Sequence, residues 1–419
     1  MAGPRLPLLA WRNLWRNGRR TAITLFSIAF GVLLAVVSTG IGDSSYTEMI
    51  DYAARLGGGH VVVQHPDYVD QPSLENSIRV SPEALEAELD TLDKGRARVV
   101  GVAPRITGGI MLATSSNNVG AGVVAIDPRA ESETTLGLVE ALSEGEMFAG
   151  PDDKGIILGA VLAENLDVEL GKKVVYTVTD KNGEIANGLA RVSGIIETGA
   201  PEIDGATCLM PIGAMREVLG YEDDELTQLA VFIDDHHHAD ALATQLDAAL
   251  GESVSALPWS GALPDLAAFV SVKEGGNVVM QAIITVLIAA GIFNTMFVSV
   301  MERMREFGIL AAIGFSRVQL FALIVWESLW VALCGLIAGV VLTAYPYYYL
   351  ATTGIDTAEL AGQGAQVSGV TMPAVMYVGL YPPHAVVIAG AIVFATLAAG
   401  LYPAYRAGRV SPVEVIRIV

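Results

Sequence analysis

The chain has 419 residues, a net charge of −20, 52% apolar residues and only 17% charged ones, too apolar for an ordinary soluble domain, in which about a quarter of residues are charged. Asp43 to Gly275 holds 39 of the 45 acidic and 14 of the 25 basic residues, so that block is −25 and the flanks together are +5. Such an acidic block excludes nucleic acid, whose phosphates it repels, and the two cysteines, Cys208 and Cys334, supply no disulfide framework and no CxxC metal motif.

Residues 1–20 precede the first apolar run. Within them Pro7–Asn17 reads as a helix with Leu8, Trp11 and Trp15 on one face and Arg12 and Arg16 on another. Tryptophan beside arginine suits the headgroup region, where the ring is half wet and the guanidinium meets phosphate. Trp11, Arg12, Trp15 and Arg16 are therefore assigned to the membrane interface on an in-plane elbow helix. A plain start of the first span is the alternative, because Gly18-Arg19-Arg20 interrupts the run. Residues 21–41 carry no charge and reach the roughly 20 residues that a bilayer needs. They lack a small-residue cleavage site and are long for a signal-peptide core, so they read as a retained anchor, transmembrane helix 1.

Residues 42–275 read as a mixed α/β domain. His60–Gln64 is a strand after the Gly57-Gly58-Gly59 break, and Ser81-Pro82-Glu83 opens a helix with Ser81 as N-cap. Val99–Val102, Gly109–Thr114 and Gly122–Ile126 read as strands. Lys172–Thr179 and Ala190–Ile196 flank a turn containing Asn182-Gly183, a hairpin signal. Gly220–Ile233 ends in a strand, and Ala239–Leu250 is an amphipathic helix. His236-His237-His238 reads as a solvated turn and not a metal site, because consecutive side chains point in different directions. The acidic clusters Asp152-Asp153 and Glu222 to Glu225 read as solvated surface. No GxSxG or HExxH motif and no zinc spacing occurs.

Residues 276–301 form an uncharged second span, with Gly291 and Asn294 suited to helix packing or a dimer contact. Residues 302–317 form a loop whose Glu302–Ile313 stretch is helical. Phe307, Leu310 and Ala311 share one face, Glu302, Arg303 and Glu306 are available for polar contacts, and Gly314 suits a C-cap. Residues 318–350 are the third span, with one charge, Glu327. An ionisable group there is costly and faces protein or a cavity; it reads as a bond to a neighbouring helix near the membrane edge, with contact to a cargo path as the alternative. Gly335 and Gly339 make a GxxxG pair for close helix approach. Residues 351–383 form an outer loop, 384–405 the fourth span and 406–419 a tail.

Arginines flank the first span's start (Arg5, Arg12, Arg16, Arg19, Arg20), the 302–317 loop (Arg303, Arg305, Arg317) and the tail (Arg406, Arg409, Arg417), whereas residues 351–383 contain no Lys or Arg. The positive-inside rule then sets both termini and the 302–317 loop in the cytoplasm, with the large domain outside. No GxxxxGK[ST] sequence is present, so the phosphate-cradling loop for ATP is missing.

The motifs Asn294-Thr295-Met296, Met301-Glu302-Arg303-Met304-Arg305-Glu306-Phe307-Gly308-Ile309-Leu310-Ala311-Ala312-Ile313-Gly314, Tyr402-Pro403-Ala404-Tyr405-Arg406-Ala407, Ser411-Pro412-Val413-Glu414-Val415-Ile416-Arg417 and Ala10-Trp11-Arg12-Asn13-Leu14-Trp15-Arg16-Asn17 resemble the FtsX/MacB-like permease superfamily of ABC transporters. The resemblance covers nearly the whole chain. Val102-Ala103-Pro104-Arg105, Val124 to Pro128, Ile157 to Ala163 with Leu170-Gly171, and Gly199 with Asp204 are similar to its LolC/LolE branch. It implies a membrane α-helical fold: four transmembrane helices with a large MacB-like mixed α/β periplasmic domain between helices 1 and 2, in the inner membrane. It further implies a non-enzymatic permease and a coupling helix seated in an ATPase groove, with Glu302, Arg303, Arg305, Glu306, Phe307, Gly308, Leu310 and Gly314 as the ATPase-coupling residues. The implied partners are two copies of an ABC ATPase, which bind the ATP and Mg, a second permease copy or paralogue, lipid or lipoprotein cargo, and a periplasmic partner. Where that branch carries a chaperone-docking hook, Asp180–Leu189 is short and polar. The implied function is release of lipoproteins or lipid-like cargo; the alternatives are MacB-like mechanotransmission and FtsX-like control of a cell-wall hydrolase.

Overall fold

The computed structural model describes residues 6–16, 18–92, 98–251, 253–356, 366–367, 370–371 and 375–409. The Ser411–Arg417 motif, Arg5 and Asn17 lie outside the described residues. The chain divides into two units, one drawn from Met1–Ser45, Ser271–Asp356 and Val375–Val419, the other from Tyr46–Val270 and Thr357–Ala374.

The first unit is helical. Four helices, Gly18–Gly58, Pro264–Glu302, Arg317–Thr352 and Pro382–Gly408, are long and apolar enough to cross a membrane; they are the first to fourth spans below. The first runs past its apolar stretch because nothing breaks it before a π-turn at Ala54–Gly58. An N-terminal helix, Leu6–Arg16, precedes it, and a connector helix, Met304–Ala312, joins the second and third spans.

Small residues set the helix spacing. A Cβ on Gly335 would come 2.7 Å from the Ile28 side chain, and one on Gly339 2.7 Å from Val32. Third-span glycines four apart thus receive first-span side chains four apart, the ridge-into-groove match that a GxxxG pair allows. Gly31 likewise abuts Ile288 of the second span, and Gly400 of the fourth abuts Ser328 of the third. The third span buries Leu320, Leu323, Ile324, Glu327, Val331 and Gly335, a stripe at helical spacing. Asp43, near the end of the first span, accepts from the Tyr381 backbone N–H at 2.9 Å and lies 2.9 Å from His384 Nδ1, which ties it to the start of the fourth.

The second unit is built on one sheet. Within Tyr46–Val270 the described strands are β1 (Val61–Gln64), β2 (Ile78–Arg79), β3 (Val99–Ala113), β4 (Asn118–Ile126), β5 (Leu142–Gly145), β6 (Gly155–Gly159), β7 (Lys173–Thr179), β8 (Ile185–Ile196), β9 (Thr207–Pro211), β10 (Glu225–Leu226), β11 (Gln228–Ile233) and β12 (Ser255–Pro258). Ten of them join in the order β12-β1-β11-β3-β4-β9-β6-β8-β5, with β7 bridging β3 and β8, while β2 and β10 pair separately. Most pairs are antiparallel, but β4–β9 and β6–β8 are parallel. Val174, Tyr176 and Val178 of β7 point inward while Lys173, Val175 and Thr179 stay exposed, the period of two that a one-sided strand requires. The β7–β8 turn closes on Asp180, whose Oδ1 accepts from the Asn182 and Glu184 backbone N–H groups at 2.8 Å. Gly183 supplies the φ of +79° that other residues resist.

β3 is a single strand of 15 residues, where the sequence suggests two, Val99–Val102 and Gly109–Thr114. Gly108 and Gly109 stay in the ladder, with Gly109 opposite Gly122 of β4. Arg105 on β3 is fully buried: its guanidinium donates to Glu131 at 2.8 and 2.9 Å, to Gly57 O at 2.7 Å and to Thr135 O at 2.8 Å. Four satisfied bonds are what keep a buried cation tolerable.

Candidate functional site

The connector helix is defined at both ends by local chemistry. Arg303 leaves helical geometry (φ −98°, ψ 8°) and separates it from the second span. At its far end Gly314 adopts φ +109°. The Gly314 N–H donates to Ala311 O and the Phe315 N–H to Leu310 O, both at 3.1 Å, which is a Schellman termination. Ser316 then caps the third span, with Gln319 reciprocating.

A chain of charges crosses the base of this unit. The Arg303 guanidinium donates to Glu327 at 3.1 and 3.2 Å and to Glu306 at 3.2 Å. Asn13 of the N-terminal helix donates to Glu327 at 2.7 Å. Arg16, one helical turn further along, pairs with Glu306, and Arg20 of the first span pairs bidentately with Glu302 at 2.6 and 2.8 Å. Trp330 Nε1 donates to Pro7 O at 3.0 Å, and its ring lies edge-on to Trp11 at 5.1 Å. The third span, the base of the second, the connector and the N-terminal helix are thereby joined. A small polar cavity of about 40 Å³ adjoins Glu327 between Asn13, Arg20, Thr21, Thr24 and Ser299, room for one or two waters. The Arg16 hydrogen bond holds the Glu306 carboxyl below its ordinary range against the opposing effect of burial, and Arg303 adds to the lowering.

Two expectations need correction. Phe307 and Gly308 are buried, with Phe307 in the bundle core beneath the Arg303 guanidinium at 5.2 Å. Glu302, Arg303 and Glu306 are engaged in ion pairs within the chain, although Glu302 and Glu306 remain 55% and 44% exposed. The face that stays exposed on the connector carries Arg305, Ile309 and Ile313, four residues apart and therefore in one row. Ile309 and Ile313 are 50% and 74% exposed. Leu310 is half-buried and Gly314 exposed. Sequence reasoning passed over Ile309 and Ile313; the signal was the spacing from Arg305, but Phe307 and Leu310 fit a helical face equally well.

On the N-terminal helix the buried residues are Ala10 and Leu14. Trp11 packs on Trp330 and Trp15, and Arg16 is taken by Glu306. Leu8 and Trp15, each 53% exposed, and Arg12 form its outward side. Gly291 and Asn294 are exposed on the second span, and a Cβ on Gly291 would meet nothing within 4 Å. Gly335 and Gly339 are buried against the first span.

Four apolar helices with a separately packed α/β unit between the first two define a membrane protein of the permease type. Residues 278–412 match the FtsX-like permease C-terminal family and residues 21–249 the MacB-like periplasmic core domain; the chain belongs to the MacB/FtsX/LolC family of ABC transporter permeases. The macrolide export ATP-binding/permease protein MacB of Nitrobacter winogradskyi is 26% identical over 421 residues, 96% of this chain and 58% of that protein. The lipoprotein-releasing system transmembrane protein LolC of Neisseria meningitidis serogroup B is 24% identical over 428 residues, 96% of this chain and 95% of that protein. LolE of Haemophilus influenzae is 20% identical over 423 residues, 97% and 98% of the two chains. The extracellular domain of the ABC-type transporter YknZ, a solved structure, aligns with 47% of the chain at 14% identity and a TM-score of 0.32.

Proposed function

We propose that this chain is the permease subunit of an ABC transporter whose ATPase is a separate chain, and that it couples ATP hydrolysis there to release of lipoproteins or other lipid-like cargo from the inner membrane. The single observation carrying this reading is the connector helix. Its inner side is locked through Arg303 and Glu306 to Glu327 and Arg16, while Arg305, Ile309 and Ile313 face outward. An apolar row ending in one cation fits a groove on an ATPase. A push on that row moves the second and third spans together, because the buried pair resists separation.

The assembly holds two ATPase copies, which bind ATP and Mg, and a second permease copy or paralogue. Arg12, Arg19, Arg305, Arg317, Arg406 and Arg409 are exposed, in keeping with a cytoplasmic connector and termini and a periplasmic α/β domain. The second span is the least buried of the four, 22% of its apolar window against 44% for the third. It therefore offers the free wall that a second copy and a lipid-accessible cleft require, with Gly291 and Asn294 on that wall. The LolC and LolE likeness favours lipoprotein cargo. The MacB likeness supports a second reading, in which the chain drives periplasmic partners mechanically.

Copurification of the chain from its native membranes into nanodiscs tests the proposal. An ATPase, a second permease and a bound lipoprotein or lipid are expected together. ATP hydrolysis by the isolated chain, or failure to hold any ATPase, contradicts it.

A further inference from the structure

We propose that Asp235, His236 and His237 bind a divalent transition ion of the Zn2+ type on the α/β unit. Nothing in this rests on the permease reading. The chain has six histidines, and four of them, His60, His236, His237 and His238, gather at the end of β11, where His60 Nδ1 accepts from the Ile233 backbone N–H at 3.2 Å. Three consecutive histidines diverge on a strand or a helix, by about 120° per residue in a 3-10 turn. Here they occupy one 3-10 turn, His236–His238, capped by Asp235, and the solvated turn expected from sequence is wrong for His236, which is only 8% exposed.

The turn brings donor atoms close together. The His236 and His237 rings stack with centroids 4.1 Å apart. Asp235 Oδ1 accepts from the His237 backbone N–H at 3.0 Å and lies 2.6 Å from His237 Nδ1. One ligand atom from each of Asp235, His236 and His237 falls within 4.8 Å of the others. Ligands of a tetrahedral Zn2+, bound at about 2.0–2.1 Å, stand roughly 3.3 Å apart, so the donors must draw together when the ion binds. His238 adds a further sign: its Nδ1 is sealed from solvent without a hydrogen bond and faces Asp235 Oδ2 at 3.6 Å, near the spacing of two ligands on one ion. Asp235, His237 and His238 are each partly exposed, which leaves the ion an entry path. Imidazoles with one carboxylate select Zn2+, Cu2+ or Ni2+; Ca2+ and Mg2+ prefer all-oxygen sites. A bound ion would pin the turn between β11 and the helix Ala239–Leu250.

The test is calorimetric titration of the full chain in nanodiscs with Zn2+ alone, using a purification tag without histidine, and Co2+ substitution as a spectroscopic check. One equivalent is expected, with the intense visible absorption of four-coordinate Co2+. The double variant His236→Gln/His237→Gln should lose at least about 10-fold in affinity. Asp235→Asn, which retains a capping side chain, should also weaken binding, and His65→Gln and His384→Gln should not. Both ligand-site variants are to melt at the wild-type temperature without metal, so that weaker binding reports the site and not unfolding. No stoichiometric Zn2+ binding, or equal affinity in the double variant, overturns the proposal.

Discussion

The Arg303 guanidinium, between the second span and the connector helix, donates to both oxygens of Glu327 in the third span, at 3.1 and 3.2 Å. The two side chains are only 9% and 8% exposed. At such burial removing one partner is far worse than replacing both, because the survivor keeps its charge and loses its compensation. Glu327→Ala should therefore cost about 3–5 kcal/mol of stability. Glu327→Gln keeps an acceptor for Asn13 and should cost clearly less. Denaturant unfolding in detergent measures both, and equal losses for the two variants would contradict the assignment.

The glycine pair of the third span makes a steric prediction. Gly335→Leu drives a side chain into Ile28, where even a Cβ stands 2.7 Å away, and should lower stability by about 1–3 kcal/mol through overpacking. Gly291→Ala meets nothing within 4 Å and should leave the isolated chain as stable as before or slightly more so, since Ala is the better helix former. Thermal melts of the two variants side by side decide this.

Cys208 sits wholly buried on β9, and burial pushes its thiol up to about 12. At about pH 8 an ordinary thiol is partly ionised and reactive. Cys208 should resist maleimide in the folded protein and label fully after denaturation. Rapid native labelling would mean that β9 opens.

Glu306 answers to acid. Its folded carboxyl is held below the ordinary range, first by the Arg16 hydrogen bond. A depressed carboxylate stabilises above its unfolded pKa and loses that contribution as pH falls through the folded value. Docking of the N-terminal helix should thus be constant near neutrality and weaken only below about pH 4.5. The pair is nearly half exposed, so the loss should stay under about 1 kcal/mol. Hydrogen exchange across Leu6–Arg16 against pH follows it, and a transition near pH 6–7 would point to another group.

Much of the fold is legible in the sequence where the signal is local. Four apolar runs, interrupted only by Glu327 in the third, mark the spans, and Asn182-Gly183 between alternating strands marks the β7–β8 hairpin. Long-range order is not encoded locally. β9 inserts between β4 and β6 with no mark in its five residues, and the stretch from Ala103 to Gly108 carries no strand signal although the ladder continues through it. The site suffers the same way. Asn13 and Glu327 are 314 residues apart, and only packing brings them together. The connector helix is apolar on more than one side, so periodicity alone left open whether Phe307 or Ile309 turns inward. The histidine turn reads as solvated throughout, yet His236 is buried by long-range packing that no local signal marks.

The central claim is that Arg305, Ile309 and Ile313 are the surface through which an ATPase moves the spans. Its most direct measurement is the ATPase rate of the reconstituted complex, wild type against Ile309→Asp/Ile313→Asp, with copurified ATPase quantified in each. The double variant should fold and insert normally, because both side chains are exposed, yet lose ATPase binding and permease-dependent stimulation by at least about 10-fold, some 1.4 kcal/mol of docking energy. Wild-type binding and stimulation in that variant would contradict the account.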